Sequence, residues 1–184
     1  MRKWALVAKR TLAYGIDIMI LFLVLAPLSL LVEQALGIRP ATPGQVWVAT
    51  VISFSLPAWS YFALSDASKS GASLGKKVFR LRVTSRVEQV RLSLGRALAR
   101  TALKLVPWEL AHLFGFALAG LIPELLQTIG IIAANVLALA YFATLLVTGG
   151  RRTVHDLAVG TEVTLASAQP SGSREAGQMT NEDP

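Results

Sequence analysis

Four apolar stretches dominate the sequence and constrain its fold more than any other feature. They cover residues 12–32, 46–64, 105–122 and 128–148, and they contain two acidic and no basic side chains. A helix needs about 20 apolar residues, at about 1.5 Å each, to cross a bilayer. With 53% hydrophobic and 16% charged residues, the chain is not typical of a soluble globule. We predict an all-α transmembrane protein, a four-helix membrane bundle.

The basic residues predict how these helices are oriented. Of the 18 Lys and Arg side chains, 17 lie at the amino terminus, in the loop 65–104 or after the fourth stretch, while the first connection holds only Arg39. Because basic segments stay on the cytoplasmic side during insertion, we expect a multi-pass protein with both termini in the cytoplasm. A three-span alternative, with 105–122 lying in the interface or re-entering it, would place Arg151 and Arg152 outside.

The composition changes near residue 165. Residues 166–184 are rich in Ser, Gly, Gln and acidic side chains and contain no aromatic residue. A segment of this kind cannot bury enough apolar surface to fold. We therefore expect a membrane domain at 1–165 and a disordered cytoplasmic tail at 166–184.

A short strand is predicted in the cytoplasmic loop. Residues 79–83 alternate apolar and basic side chains, a pattern typical of a half-buried strand. Its partner is either 87–94 or 161–165. In the second case Glu162 would be able to face Arg80 or Arg82. The bundle is thus expected to carry a small cytoplasmic β element.

The same loop predicts a basic interfacial helix. Arg96, Arg100 and Lys104 are four residues apart within 92–104 and have apolar side chains around them. Cations in such a helix bind acidic headgroups, so we expect anionic membrane lipids as partners and no nucleic acid. The predicted headgroup contacts are Lys76, Lys77, Arg96, Arg100 and Lys104.

Asp17 is the most constrained ionisable residue. It lies five residues into the first stretch, about 8 Å deep by the helical rise, where a carboxylate needs a partner, water or a proton. Arg10 lies two turns earlier on the same face, while Arg151 and Arg152 are placed to reach Asp17 from another segment. Two interpretations follow: a buried pair that locks helix packing, or a carboxylate that handles a cation or proton.

Glu109 and His112 form a second ionisable group. Their three-residue spacing puts both on one face of the third stretch. Metal-binding helices use this spacing, but such a site needs more ligands, and the chain has only two His and no Cys. We predict a hydrogen-bonded or proton-carrying pair, with no metal and no cofactor.

No segment suggests catalysis. The run GASLGKK at 71–77 differs from a P-loop in the spacing of its glycines and has no hydroxyl after the lysine. His155 and Asp156 are neighbours, and no nucleophile is evident for them. We expect that the protein is not an enzyme and that Asp156 accepts hydrogen bonds from the backbone or from arginines.

Several segments together suggest a family. They read KRTLAYGID at 9–17, SLGKK at 73–77, LRV at 81–83, and TVHD at 153–156 followed by GTEV at 160–163, with Arg96 and Arg100 between them. In this order they resemble the RDD family of bacterial membrane proteins, over about residues 9–165. The family is named for one arginine and two aspartates. The resemblance implies Arg10 and Asp17 for the first two, and Asp156, or alternatively Asp66, for the last.

The resemblance implies a bacterial inner-membrane protein, with transport of unidentified ligands as the suspected role. We expect a small transporter or transporter subunit in which Asp17 handles a cation or proton, together with Arg10, Asp156, Glu109 and His112. Because four helices do not easily enclose a path, we expect a homo-oligomer or a membrane-protein partner. The alternative is a non-catalytic membrane scaffold or assembly factor stabilised by Arg–Asp pairs.

Overall fold

The protein is mostly helical. A computed structural model describes residues 3–37 and 39–166, so the predicted tail lies outside the described residues apart from Ala166. The helices are α1 (Lys3–Leu36), α2 (Pro43–Thr50), α3 (Leu56–Ala67), α4 (Leu74–Val78), α5 (Leu94–His112), α6 (Glu124–Val147) and α7 (Val154–Val159). Two π-helical turns, Val51–Ser55 and Leu113–Ala117, join α2 to α3 and extend α5.

Three helical segments are long and apolar enough to cross a membrane. They are Trp4–Leu36, Pro43–Ala67 and Glu124–Val147, and they contain the first and second predicted spans and nearly all of the fourth. Large apolar side chains on α1 and α6, such as Leu31 and Leu139, are more than 60% exposed. Exposing such apolar surfaces to water costs free energy, whereas contact with lipid hydrocarbon does not. The chain is therefore a membrane protein.

The remaining predicted span, 105–122, is not confirmed as an apolar crossing. The helix that contains it begins at Leu94 and ends in the π-helical turn at Ala117, and residues 118–121 form turns. The predicted interfacial helix and the third apolar stretch are thus parts of one helix, which packs against α3 and α6. The predicted boundary at residue 105 depends on apolar residues alone. The sequence therefore predicts the basic first half of α5 as a separate element.

A glycine brings α5 and α6 close together. At Gly130 of α6, a Cβ atom would lie only 2.2 Å from the ring of Phe114. The missing side chain makes room for that ring, and the two helices pack side by side.

The predicted strand is confirmed, and so is one of its two candidate partners. β1 (Leu81–Ser85) pairs antiparallel with β2 (Thr161–Leu165), with Val83 opposite Val163. Residues 87–94 form no strand. The sheet therefore ties the middle loop to the segment after α7.

The predicted contact of Glu162 with Arg80 or Arg82 is wrong. The register places Glu162 opposite Thr84, and its carboxylate accepts a hydrogen bond from the Gln89 side chain instead. Arg80 precedes β1 with a φ of +54°, in the left-handed region that favours glycine.

The apolar core has two parts. One lies under the sheet and contains Leu6 and Ala13 of α1 with Val83 and Val163. The other lies between α1, α3 and α5 and contains Leu21, Leu25, Ala58, Phe62 and Leu105. Along α1, Asp17 falls between the two parts. The carboxylate of Asp17 thus lies between two apolar clusters.

Candidate functional site

Five charged residues form a chain of alternating sign at one end of the helices. Lys76 of α4 donates to Asp66 of α3, whose other oxygen accepts from Arg100 of α5. Arg100 Nε lies 2.9 Å from Asp156 Oδ1 on α7, and Arg10 Nη2 of α1 lies 2.9 Å from Asp156 Oδ2. We call these five residues the ionic chain. It brings together the start of α1, the end of α3, the first half of α5 and the segment after α6.

The ionic chain is buried. Asp66 and Asp156 are 0% exposed and Arg100 is 1% exposed. Buried charges persist only when opposite charges and hydrogen bonds replace water, and Arg100 supplies both by bridging two carboxylates. Three cations and two carboxylates leave the ionic chain with one net positive charge.

Local sequence builds the end of the ionic chain at Asp156. Thr153 caps α7, and Asp156 occupies the third helical position, so a capping box forms between them. Asp156 Oδ2 accepts from the Thr153 N–H at 3.0 Å, and Oδ1 accepts from the Thr161 hydroxyl at 3.0 Å. The expectation that Asp156 accepts from the backbone is confirmed. The expectation of arginines close to it in sequence is wrong, because its arginine partners are Arg10 and Arg100.

Burial and neighbouring charges determine the protonation states of Asp156 and His155 on α7. Burial alone would raise the pKa of Asp156, but the charges of Arg100 and Arg10 outweigh it and hold that pKa well below its ordinary value. Burial lowers the pKa of His155 well below 6.5, and the charge of Arg100 acts in the same direction. Asp156 is thus ionised and His155 neutral at pH 7.

A pH dependence of stability follows from His155. Because the folded pKa lies below the unfolded value of 6.5, the unfolded chain binds more protons as the pH falls below that value, and stability is lost. We expect a loss of roughly 1 kcal/mol on going from about pH 7.5 to about pH 5.5. Thermal unfolding in detergent measures it. Asp156 adds its own loss only below its unfolded pKa of about 3.8.

A histidine variant tests this assignment. His155→Gln should flatten the pH dependence of the melting temperature over that range. An equal slope in the parent and in His155→Gln would contradict the assignment.

Asp17 has a site of its own beside the ionic chain. Its Oδ1 accepts from the Tyr61 hydroxyl at 2.6 Å and from the Gly75 N–H at 2.7 Å, and its Oδ2 accepts from the Ser73 hydroxyl at 2.5 Å. The side chain is 1% exposed. The prediction that Arg151 or Arg152 supplies a cation to Asp17 is therefore wrong. Neutral donors from α3 and the start of α4 compensate the carboxylate.

Close packing of Gly75 makes this arrangement possible. A Cβ atom at Gly75 would lie 2.0 Å from the carbonyl oxygen of Ala13 and 3.0 Å from Cγ of Asp17. Only glycine lets α4 approach α1 closely enough for its backbone N–H to reach the carboxylate.

Residues 71–75 contain a further motif, since they read Gly-Ala-Ser-Leu-Gly. A nucleophile elbow has this pattern, but it presents an exposed serine on a strand-to-helix turn. Ser73 is 1% exposed, and its hydroxyl donates to Asp17. The glycines serve packing here: Gly75 meets α1, and Gly71, at a φ of +58°, would place a Cβ 2.7 Å from the Val83 carbonyl oxygen.

Glu109 and His112 do not bind each other. Glu109 accepts from the Trp59 indole N–H at 3.0 Å and from the Ser55 hydroxyl at 3.2 Å, while His112 Nδ1 lies 2.9 Å from the Trp108 carbonyl oxygen. The predicted hydrogen-bonded pair is therefore wrong. Among residues 3–37 and 39–166, no group of three His, Asp or Glu side chains is placed to hold a metal ion.

The predicted headgroup residues separate into two groups. Lys77 and Arg96 are exposed, and headgroup binding by them stays a prediction. Lys76 and Arg100 are buried in ion pairs, so their assignment to the lipid surface is wrong. Lys104 is half-buried, with Nζ 3.1 Å from the ring centroid of Phe62. The four-residue spacing of Arg96, Arg100 and Lys104 correctly predicts one helical face. It does not indicate whether lipid headgroups or other parts of the protein cover that face.

Three partners of these residues had a weak sequence signal or none. Asp66 stands just after an apolar stretch, where a carboxylate reads as the end of a span, yet it connects Lys76 to Arg100. Tyr61 and Ser73 carry no charge, so nothing in the pattern marked them as the compensation for Asp17. Of these three residues, only Asp66 carries a charge that marks it in the sequence.

A cavity of about 450 Å³ adjoins both groups. It lies between α1, α5 and α6, and Asp17 forms part of its wall. The wall also includes Arg10, Lys76, Arg100, Lys104 and His155 at one end and mainly apolar residues at the other. Both the ionic chain and the Asp17 site therefore border one space within the helices.

Comparison with known proteins identifies the family of the chain. No curated protein and no solved structure matches the chain. The model of the RDD family matches residues 4–160, a region that includes Arg10, Asp17, Asp66 and Asp156. Because the match covers most of the sequence, the chain belongs to the RDD family.

Proposed function

We propose that this chain is a small membrane transporter or transporter subunit in which Asp17 exchanges a proton for a cation. One observation carries the proposal: Asp17 is a buried carboxylate in the wall of a cavity, and hydroxyl and amide groups, not a cation, compensate its charge. A carboxylate without an ion-pair partner keeps the capacity to bind a proton or a cation. The carboxylates of the ionic chain, in contrast, are occupied by arginine and lysine.

The donors around Asp17 suit a group that changes protonation. Oδ1 accepts from Tyr61 and Gly75, and these bonds survive when the proton is carried by Oδ2. The Ser73 hydroxyl, which donates to Oδ2, is able to reverse its role and accept that proton's hydrogen bond, because a hydroxyl is both donor and acceptor. The site therefore keeps its hydrogen bonds in both protonation states.

Proteoliposomes test the proposal. The reconstituted parent protein should acidify or alkalinise the lumen, followed with a trapped pH-sensitive dye, when a sodium or potassium gradient is imposed. Asp17→Asn should lose at least tenfold of this flux, because the amide cannot release a proton, while its expression and folding are retained. Flux equal to that of the parent would contradict the role of Asp17.

The matched control is Glu33→Gln. Glu33 lies on the same helix and is also a carboxylate, but it does not line the cavity beside Asp17. It should leave the flux unchanged. A parent protein that gives no flux with either cation would contradict the transporter proposal as a whole.

A scaffold or assembly factor is the second candidate, and the ionic chain favours it. The five residues link α1, α3, α4, α5 and α7, which is the arrangement expected if charge serves to lock helices to the sheet. On this proposal flux is absent throughout, and Asp17→Asn lowers thermal stability and weakens capture of a specific partner.

The proposal also includes an assembly. Three apolar helices with α5 beside them are few for a closed path across the bilayer, so we propose a homo-oligomer, or a complex with another membrane protein, in the bacterial inner membrane with both termini cytoplasmic. The exposed apolar faces of α1 and α6 provide the surface for such contacts. The mass of the protein in detergent, from light scattering, tests the oligomer.

A further inference from the structure

The cavity beside Asp17 has two chemically different ends. Its charged end is formed by four cations, namely Arg10, Lys76, Arg100 and Lys104. Its other end is formed by apolar side chains on α5 and α6, among them Trp108, Ala111, Ala134, Ala138 and Phe142. The residues on α6 recur at intervals of three or four, so one face of that helix lines the cavity. A ligand that fills it must be polar at one end and apolar at the other.

One cation at the charged end is not neutralised. Arg10, Lys76 and Arg100 are ion-paired, whereas Lys104 has no salt bridge to any carboxylate in the described ranges 3–37 and 39–166. The Lys104 amine lies over two rings, 3.1 Å from the centroid of Phe62 and 4.6 Å from that of Tyr14. Cation–π contact compensates a buried ammonium only in part. An anion is the missing partner.

Asp17 does not supply that partner. Among the residues that the structure describes, it is the only carboxylate in the wall of the cavity, and each of its oxygens already accepts a short hydrogen bond. Burial lowers the pKa of the Lys104 amine well below its ordinary value, and the nearby charges of Lys76 and Arg100 act in the same direction, while those of Asp66 and Asp17 oppose it in part. An anion beside the amine would favour its charged form again.

The cavity is also reachable from the lipid. Asn135 and Ala138 of α6 line it and are nevertheless exposed, so its wall extends to the outer surface of that helix. A volume of about 450 Å³ is in the range of small-ligand sites and suits one headgroup with part of one chain.

We propose that this cavity binds a single-chain anionic amphiphile, with its phosphate at Lys104 and its chain along Trp108, Ala134 and Ala138. The alanines leave the space that the chain occupies. The same phosphate chemistry could come from a lipid headgroup or from free phosphate, and the apolar end favours the lipid. This inference rests on the cavity of the proposed function, whose substrate class it names, but it does not require the proton step at Asp17.

Three probes separate the possible ligands. Palmitoyl lysophosphatidic acid carries both the phosphate and the chain, palmitoyl lysophosphatidylcholine the same chain with no net charge, and inorganic phosphate only the head. Equilibrium binding to the full chain in detergent should favour lysophosphatidic acid at least tenfold over each of the other two. Equal affinity for the two lipids, or tighter binding of inorganic phosphate, would overturn the proposal.

Variants of Lys104 test where the phosphate head of the lipid binds. Lys104→Gln should weaken binding of lysophosphatidic acid at least tenfold and leave lysophosphatidylcholine unchanged, while Lys104→Arg, which keeps the charge, should retain most of the affinity. Lys69→Gln is the matched control, because Lys69 is an exposed cation outside the cavity. Unchanged affinity in Lys104→Gln would overturn the assignment of the head.

A second measurement locates the chain and does not depend on Lys104. A brominated acyl chain should quench the fluorescence of Trp108. The quenching should fall in Trp108→Phe, which removes the indole, and in Ala138→Phe, which narrows the apolar part of the cavity without adding an indole. Quenching that persists in Trp108→Phe would place the chain elsewhere. Binding without flux would refute only the transport proposal, and flux without selective binding of lysophosphatidic acid would refute only this inference.

Discussion

Replacing Arg100 with methionine is expected to destabilise the protein more than any other single change to the ionic chain. The guanidinium is 1% exposed and bridges Asp66 and Asp156, both fully buried. Without it, each carboxylate loses one of its two cations and has no water to replace it. Breaking a buried pair in this way costs about 3–5 kcal/mol, which corresponds to a melting temperature lower by roughly 10 °C. Thermal unfolding in detergent measures this.

Two further variants control the Arg100 experiment. Arg96→Met removes a guanidinium one turn earlier on the same helix, but that residue is exposed and loses only one hydrogen bond, to the Ser85 hydroxyl at 3.2 Å, so its cost should be about 1 kcal/mol. Combining Arg100→Met with Asp156→Asn should cost less than the sum of the two single changes, because the charge left without Arg100 is also removed. Equal melting temperatures for Arg100→Met and Arg96→Met would show that the bridge does not stabilise the fold.

Gly75→Ala is expected to separate α4 from α1. The new Cβ would lie 2.0 Å from the backbone carbonyl oxygen of Ala13, which has no flexible side chain to move away. α4 must then shift, and the hydrogen bond from Gly75 N–H to Asp17 is lost. Overpacking together with the loss of a bond to a charged group should cost about 3 kcal/mol or more. The fall in melting temperature measures this.

Gly95→Ala is the matched control for the Gly75 experiment. Gly95 lies in the first turn of α5, and nothing is within 4 Å of its Cβ position, so alanine should be neutral or stabilise the helix by up to about 1 kcal/mol. If the two alanine variants had the same melting temperature, the close approach of α4 to α1 would not be needed for stability.

Features with a local cause could be predicted from the sequence. Three of the four predicted apolar stretches correspond to segments able to cross a membrane, since length and composition depend on no other part of the chain. Alternation at 79–83 predicted β1, shifted by two residues. The segment at 153–156 placed Asp156 in a hydrogen-bonded position, because a capping box is formed by neighbouring residues.

The candidate site was predictable only in part, because its partners come from distant segments. Arg100 has the same spacing pattern on a buried face as on a lipid-facing one, and only the arrival of Asp66 and Asp156 decides between them. A charged partner was predicted for Asp17, yet neutral donors compensate it, and hydroxyls leave no charge pattern in a sequence. Glu109 and His112 share a helical face, but each finds a nearer partner on that face or on the helix beside it.

The link from Arg10 to Asp156 spans 146 residues, and this has a consequence for biosynthesis. At about 5–20 residues per second, the ribosome needs on the order of ten seconds after making the first helix before it supplies the aspartate. During that interval the guanidinium lacks the carboxylate that it binds in the folded protein. We expect that a nascent chain released before residue 156 keeps this arginine in contact with water, because burying a cation without its partner is costly.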